Sequence, residues 1–294
     1  VSTTAVLRRF NRTYTQRIGV LEESFLGLGR PLAVSRLLFE IGATEQSGGA
    51  TVRDLRERLD LDSGHLSRML RTLEREGLVE TIPDPADQRR RVARLTPAGH
   101  TARQELDDRS EELAARIVAP LTDRQRARLT DALATADLLV RAATVRLREV
   151  PPDDPAGRDA LQRYLDEIDA RFAHGYVTSG PVATEPGSTY VLATSDGEPV
   201  AYGGIRPAAD PTTIEIKRMW VHSDWRGAGL GSRMLRHLEA LAAERGATRI
   251  VLDTNEVLEE AIAMYDRAGY CRVDRYAGSD PHATHFFEKV TAPR

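Results

Sequence analysis

The chain has 294 residues, a net charge of −3 at neutral pH and a mean hydropathy of −0.39, too long for one ordinary domain and suited to two. Its single cysteine, Cys271, excludes an intramolecular disulfide. No run of about 18 apolar residues exists, and Arg8, Arg9 and Arg12 stand where an apolar leader would be, which predicts a soluble, cytoplasmic protein that does not enter a membrane. Residues 1–143 hold 23 Arg and no Lys against 21 acidic side chains, net +2, and the remainder holds 18 basic against 23 acidic, net −5. Any affinity for nucleic acid must therefore be local.

In chain order, a helical pattern runs over 4–25. Residues 51–59 read as a short helix, Asp60-Leu61-Asp62-Ser63 as a turn with a capping residue, and 64–76 as a second helix, the spacing of a helix-turn-helix. That second helix buries Leu66, Met69, Leu70 and Leu73. It leaves Ser63, His65, Ser67, Arg68 and Arg71 on another side, where such side chains reach base edges and phosphates. Residues 77–82 read as a strand, 83–90 as an arginine-tipped turn and 91–96 as the returning strand. Two more helical patterns, 97–118 and 122–143, carry Leu106, Leu113, Ile117, Leu129, Leu133 and Leu139 at roughly helical spacing. An isolated arginine is ordinarily a solvated surface charge, but Arg89 and Arg90 at the tip of a wing suit DNA.

Through Leu73-Glu74-Arg75-Glu76-Gly77-Leu78-Val79, Asp87-x-Arg89 and Leu95-Thr96-Pro97-Ala98-Gly99, this half resembles the MarR family of regulators. The resemblance implies a winged helix-turn-helix homodimer held by its terminal helices, with a wing arginine in the minor groove and Asp87 bracing the wing. The partner would be a double-stranded DNA operator, an inverted repeat with half-sites about one helical turn apart. No cysteine lies in this half, which argues against the thiol-based peroxide sensing of some MarR relatives.

Residues 144–150 alternate like a strand and 157–172 like a helix, which puts the junction near Ala143 with almost no tether despite the prolines at 151, 152 and 155. Residues 214–221 form an alternating strand. It leads into Arg226-x-x-Gly229-x-Gly231 and a helix over 229–245 with Leu230, Met234, Leu235, Leu238 and Leu241 on one face. The glycines clear side chains from where backbone N–H groups must approach an anion, and the helix adds its positive dipole end, an arrangement suited to a pyrophosphate. A dinucleotide fingerprint would need glycine where Arg226 stands. Next come the strand Leu252-Asp253-Thr254-Asn255 and a helix from Ala261 through Tyr265 to a left-handed cap at Gly269. His282 and His285 fall on a loop and a strand end with no further Cys or His cluster, so no metal is expected. Cys271, beside Tyr270 in a strand, is expected to be a buried structural thiol.

The segment Arg226-x-x-Gly229-x-Gly231 resembles the coenzyme A loop of the GNAT N-acetyltransferases, and Ala261-x-x-x-Tyr265-x-x-x-Gly269-Tyr270 resembles that family's Ala-x-x-x-Tyr-x-x-x-Gly-Phe helix end. The resemblance implies an α/β fold with a mixed central sheet, acetyl-CoA as co-substrate and an amine acceptor. Met219, Trp220 and Val221 would lie on a splayed strand whose backbone pairs with pantetheine. Arg226, Gly227, Ala228, Gly229, Gly231 and Ser232 would hold the pyrophosphate, Asn255 would touch CoA, and Tyr265 would protonate the departing thiolate. An amine with a pKa near 10.4 is mostly protonated at neutral pH, so a base is wanted. Glu215, eleven residues before Arg226, reads either as that base or as a solvated strand residue. In this fold the loop-rich stretch 173–189, with His174-Gly175-Tyr176-Val177-Thr178-Ser179-Gly180-Pro181, would border the acceptor, and Glu215 and Asp210 would suit a cationic amine.

The chain thus reads as multidomain. An all-α MarR-like winged helix-turn-helix with a small β-wing, 1–143, precedes an α/β GNAT acetyltransferase, 144–294. Its function reads as transcription regulation joined to amine acetylation, or as regulation in which the second domain only senses acyl-CoA.

Overall fold

Helix α1, Thr3–Arg17, starts on the Ser2 side chain, and none of its residues is buried. It ends at Arg17, short of the helical pattern over 4–25, and Gly19 follows at φ 68°. A left-handed glycine just past the last turn stops a helix where the apolar pattern alone would continue it. The computed structural model describes residues 2–20, 22–45, 49–85, 87–172, 175–176, 186–195 and 197–291.

The chain divides into two compact units, Val1–Ala127 and Arg128–Arg294. In the first, α2 (Leu32–Ala43) places Leu37, Leu38 and Ile41 in a core shared with Leu66, Met69, Leu70 and Leu73 of α4 (Ser63–Arg75). Between them α3 (Val52–Leu59) begins in a capping box of Thr51 and Asp54 and ends on a left-handed Asp60, which turns the chain toward Asp62, the N-cap of α4. Strand β1 (Ala50–Thr51) pairs with β3 (Arg91–Leu95), which pairs antiparallel with β2 (Val79–Pro83) from Val79↔Leu95 to Pro83↔Arg91. Helix α5 (Pro97–Val118) leaves this wing through Thr96, whose hydroxyl donates to the Gly77 carbonyl at 2.6 Å. At Gly99 a Cβ would lie 2.0 Å from the Leu78 carbonyl oxygen, so only glycine lets the helix start this close to the strand.

Helix α6 (Asp123–Thr144) crosses the division, and β4 (Leu147–Val150) follows it, so the alternation expected from 144 begins at Leu147. In the second unit β4 pairs with β5 (Thr189–Ser195), β5 with β6 (Glu198–Pro207) and β6 with β7 (Thr213–Val221), all antiparallel. Strand β7 then runs parallel to β8 (Arg249–Thr254) through the crossover helix α8 (Leu230–Glu244). The sheet closes with β10 (His285–Val290) between β8 and the two-residue edge strand β9 (Cys271–Arg272), giving the order β4-β5-β6-β7-β8-β10-β9. One face packs Leu230, Met234, Leu235 and Leu238 of α8 against Ile214, Ile216, Ile250 and Leu252. The other gathers Val150, Tyr190, Leu192, Tyr202 and Trp220 around Ala160 of α7 (Pro155–Arg171). Helix α9 (Glu259–Arg267) follows β8. Cys271 is exposed, contrary to the buried thiol expected, because β9 is an edge strand paired only to β10. No described helix is long and apolar enough to cross a membrane.

Candidate functional site

The β7–β8 ladder runs from Thr213↔Arg249 only to Ile216↔Leu252. From Lys217 onward β7 stays bonded to β6 but leaves β8, so the edge of Met219, Trp220 and Val221 that faces β8 carries no ladder. An extended chain could pair there as an added strand. The departure coincides with a bulge: the β6 register jumps between Tyr202 and Gly204, and Arg218 takes φ 57°. For a residue with a Cβ this left-handed conformation costs of order 1–2 kcal/mol.

Beyond Val221 a 3-10 turn, Ser223–Trp225, buries Trp225 and hands the chain to Gly227 at φ 76° and Gly229 at φ 82°, the N-cap of α8. A Cβ at either glycine would meet nothing within 4 Å, so the surface above the loop is open. The amides of Gly227, Ala228, Gly229, Leu230, Gly231 and Ser232 have no acceptor among the described residues, whereas Arg233 already donates to the Gly229 carbonyl. Six free donors at a helix N-terminus suit a diphosphate. The position of Gly231 lies 3.3 Å from the Met264 sulfur and 3.6 Å from Val221, measured to a Cβ there, which brings the loop, the end of β7 and α9 to one place.

Arg226 faces less outward than a direct anion anchor requires. Its Nε donates to the Val221 carbonyl at 3.0 Å, and its guanidinium pairs with Glu167 of α7. Glu167 also accepts from Trp220 Nε1 at 3.0 Å and pairs with Arg171 at 2.7 Å. Arg226 therefore braces the loop and adds charge beside it. Arg171 joins Glu167 to Glu260, the second residue of α9. Burial works against the Glu260 anion, but its own amide and Arg171 hold its carboxyl below the usual range.

On α9 the Tyr265 ring packs against Tyr270 and Phe287, with centroids at 5.9 and 5.7 Å. Its hydroxyl has no hydrogen-bond partner among the described residues. Burial, and then the Asp253 charge, push the phenol above its ordinary range, so it stays protonated. Asn255 is engaged elsewhere: its amide donates to the His282 carbonyl at 2.6 Å and its oxygen accepts from Val257 N at 3.1 Å.

Glu215 is only 2% exposed, so the solvated alternative is wrong. Its carboxylate accepts from Arg206 Nε and from the Tyr276 hydroxyl at 2.7 Å, and Lys217 Nζ lies 3.2 Å away. Lys217 also bonds both oxygens of Asp253 at 2.9 and 3.0 Å. Asp253 accepts from the Asp280 amide, and Asp280 accepts from the Tyr176 hydroxyl. Reasoning from the sequence missed Arg206, Lys217, Tyr276 and Asp280 in this network. Asp210 instead shapes the β6–β7 turn, where bonds from Thr213 and Thr212 lower its carboxyl pKa. Of the expected acceptor loop, 175–176 and 186–189 are described; 173–174 and 177–185 lie outside the described residues.

In the first unit Ser63, His65, Arg68 and Arg71 are exposed along α4, with Ser67 half-buried. At the wing tip Asp87 accepts from the Arg89 amide at 3.1 Å and pairs with Arg90 at 3.3 Å. The guanidinium groups of Arg68, Arg71 and Arg89 make no ion pair or hydrogen bond among the described residues, so their charge is open to an outside anion. Among those residues no three His, Cys, Asp or Glu side chains cluster as a metal would require.

Residues 148–270 match the Acetyltransferase (GNAT) family, and 36–99 match the winged helix DNA-binding domain. The chain is similar to the N-acetyltransferase YjgM of Escherichia coli, 27% identical over 156 residues that span 46% of this chain and 93% of that protein. It is 30% identical over 143 residues to the streptothricin acetyltransferase of Streptomyces lavendulae, covering 47% of this chain and 71% of that one. Among solved structures, the reduced form of MarR from E. coli aligns with 46% of this chain and 96% of its own, at 24% identity and a TM-score of 0.39. The chain belongs to the acetyltransferase (GNAT) family, with a winged helix DNA-binding domain fused ahead of its acetyltransferase domain.

Proposed function

We propose that this protein is a cytoplasmic, homodimeric regulator of the MarR type that also transfers acetyl from acetyl-CoA to an amine. The observation that carries the transfer reading is the convergence of six loop amides and a Tyr265 hydroxyl that have no partner among the described residues with the open edge of β7. The Gly227–Ser232 amides would hold the pyrophosphate, with Arg226 fixing the loop, and the β7 edge would align pantetheine. The neutral amine attacks the thioester, Glu215 takes its proton directly or through water, and Tyr265 gives a proton to the leaving sulfur. DNA binding rests on α4 and the wing arginines. Dimerisation is supported by Val6, Leu7, Phe10 and Tyr14, exposed on a helix that buries nothing, and it would match an inverted-repeat operator.

One observation favours the sensing alternative: Glu215 already accepts from Arg206 and Tyr276 and lies against Lys217, which stabilises its charged form and leaves few acceptor sites for a further proton. Release of free CoA thiol from acetyl-CoA, measured across amines, amino acids and lysine peptides, separates the two. Amine-dependent release establishes the enzyme. Acetyl-CoA binding without release with any acceptor establishes the sensor.

A further inference from the structure

Arg218 is a cation placed at structural cost and left without a partner among the described residues. It stands where β7 leaves β8, in a left-handed conformation that no other non-glycine residue of the acetyltransferase unit adopts among those described. Its side chain is half-buried and makes no hydrogen bond, ion pair or ring contact among the described residues. Past the bulge the strand resumes its alternation. Met219 and Val221 pack with the α8 face, whereas Trp220 belongs to the α7 face with Tyr190 and Tyr202. The positive charge of Arg218 acts on Tyr202 and on Tyr176, which meets Phe172 edge-on just beyond α7. Arg218 thus serves the α7 side, away from the N-terminus of α8 that suits the pyrophosphate.

The neighbouring charges are already matched. Glu215 is held by Arg206, Lys217 and Tyr276, Asp253 by Lys217 and the Asp280 amide, and Asp280 by Tyr176. The unmatched charge at the splay is positive, the reverse of the cationic preference expected from Glu215 and Asp210. A half-buried guanidinium with no partner among the described residues gains most from a planar, bidentate anion.

We infer that Arg218 is a specificity-determining residue for the acceptor, and that the acceptor is an amine bearing a carboxylate, held with its carboxylate on the Arg218 guanidinium and its nitrogen toward the splay. This rests on the acetyltransferase reading. The test compares the full-length protein with Arg218→Gly, which suits the left-handed backbone, and with Arg218→Lys, which keeps the charge but not the fork. The probes are matched pairs of amino acids and their carboxamides. Thiol release from acetyl-CoA is expected to favour the acids at least tenfold in kcat/KM. That ratio falls at least tenfold in Arg218→Gly and partly in Arg218→Lys, while thermal stabilisation by CoA confirms that each variant is folded. Equal use of acid and amide by the unaltered protein, or an unchanged ratio in Arg218→Gly, overturns the inference. Should no acceptor be acetylated, the transfer reading fails, and calorimetric titration of the same pairs into CoA-saturated protein still decides Arg218. Acid-selective binding lost in Arg218→Gly sustains the assignment, and unselective or absent binding overturns it.

Discussion

Gly229 and Gly246 form a matched pair of perturbations at the two ends of α8. Both take φ 82°, and at both a Cβ would meet nothing within 4 Å. Substituting alanine therefore causes no clash at either end. It imposes only the left-handed penalty of an L-residue, about 1–2 kcal/mol, which lowers Tm by roughly 2–8 °C in a domain of this size. The two differ in what lies beside them. Gly229 stands among the free amides at the helix N-terminus, and Gly246 follows Arg245 at the C-terminus, where its amide bonds the Ala243 carbonyl. A methyl at 229 intrudes on the open space where an anion would approach, and losing one charge-assisted N–H bond there costs about 1.5–3 kcal/mol, at least tenfold in affinity. Denaturant unfolding and calorimetric titration with CoA measure both quantities. Gly229→Ala and Gly246→Ala should lose similar stability, while only Gly229→Ala loses at least tenfold in CoA affinity. Equal CoA affinity in the two variants would refute the assignment of the loop amides as the diphosphate cradle.

Three further outcomes are expected. Tyr265→Phe keeps the ring contacts with Tyr270 and Phe287, so turnover should fall about a hundredfold while CoA affinity stays within about twofold; unchanged turnover removes the proton-donor role. Burial raises the phenol pKa values of Tyr164 and Tyr265, so each is neutral in the folded chain where the unfolded chain ionises near pH 10. That stabilisation is fully present below pH 10 and is lost as pH rises toward the folded values, at about 1.4 kcal/mol per pH unit for each tyrosine. Tm should therefore fall steeply from pH 10 to 11 and less steeply in Tyr265→Phe; a flat profile contradicts it. Arg68→Ala and Arg89→Ala should each weaken operator binding about tenfold and flatten its salt dependence by about one unit if the contact is to phosphate, as read by fluorescence anisotropy. Neither variant changing affinity would remove DNA contact from α4 and the wing.

Features held by neighbours in the chain were legible from residue order. The capped helix-turn-helix, the hairpin ending at Thr96 and the Gly227–Gly229 turn all depend on contacts a few residues apart. The environment of Glu215 was not, because Tyr276 reaches it across 61 residues. Nor was that of Asn255, whose amide bonds the His282 carbonyl 27 residues away. Arg218 left a local trace that could have been used. Glu215 and Lys217 occupy one side of an alternating strand, Ile214 and Ile216 the other, and a second cation directly after Lys217 breaks that period. In a strand, such a break marks a bulge.

The last turns of α6 belong physically to the acetyltransferase unit. Ala142 is 2% exposed within its core, and the Ala142 carbonyl accepts from Arg233 at 3.0 Å, in the first turn of the helix that follows the glycine loop. The Arg141 guanidinium lies 4.6 Å from the centre of the Trp225 ring and donates to Ser195 at 3.0 Å. Cutting the chain at 148, where similarity to other acetyltransferases begins, would strip this cover from Trp225, the residue next to Arg226. The acetyltransferase-family domain is thus not a bead that can be unstrung and grafted elsewhere at its recognisable border; it is portable only with the closing turns of the helix that precedes it.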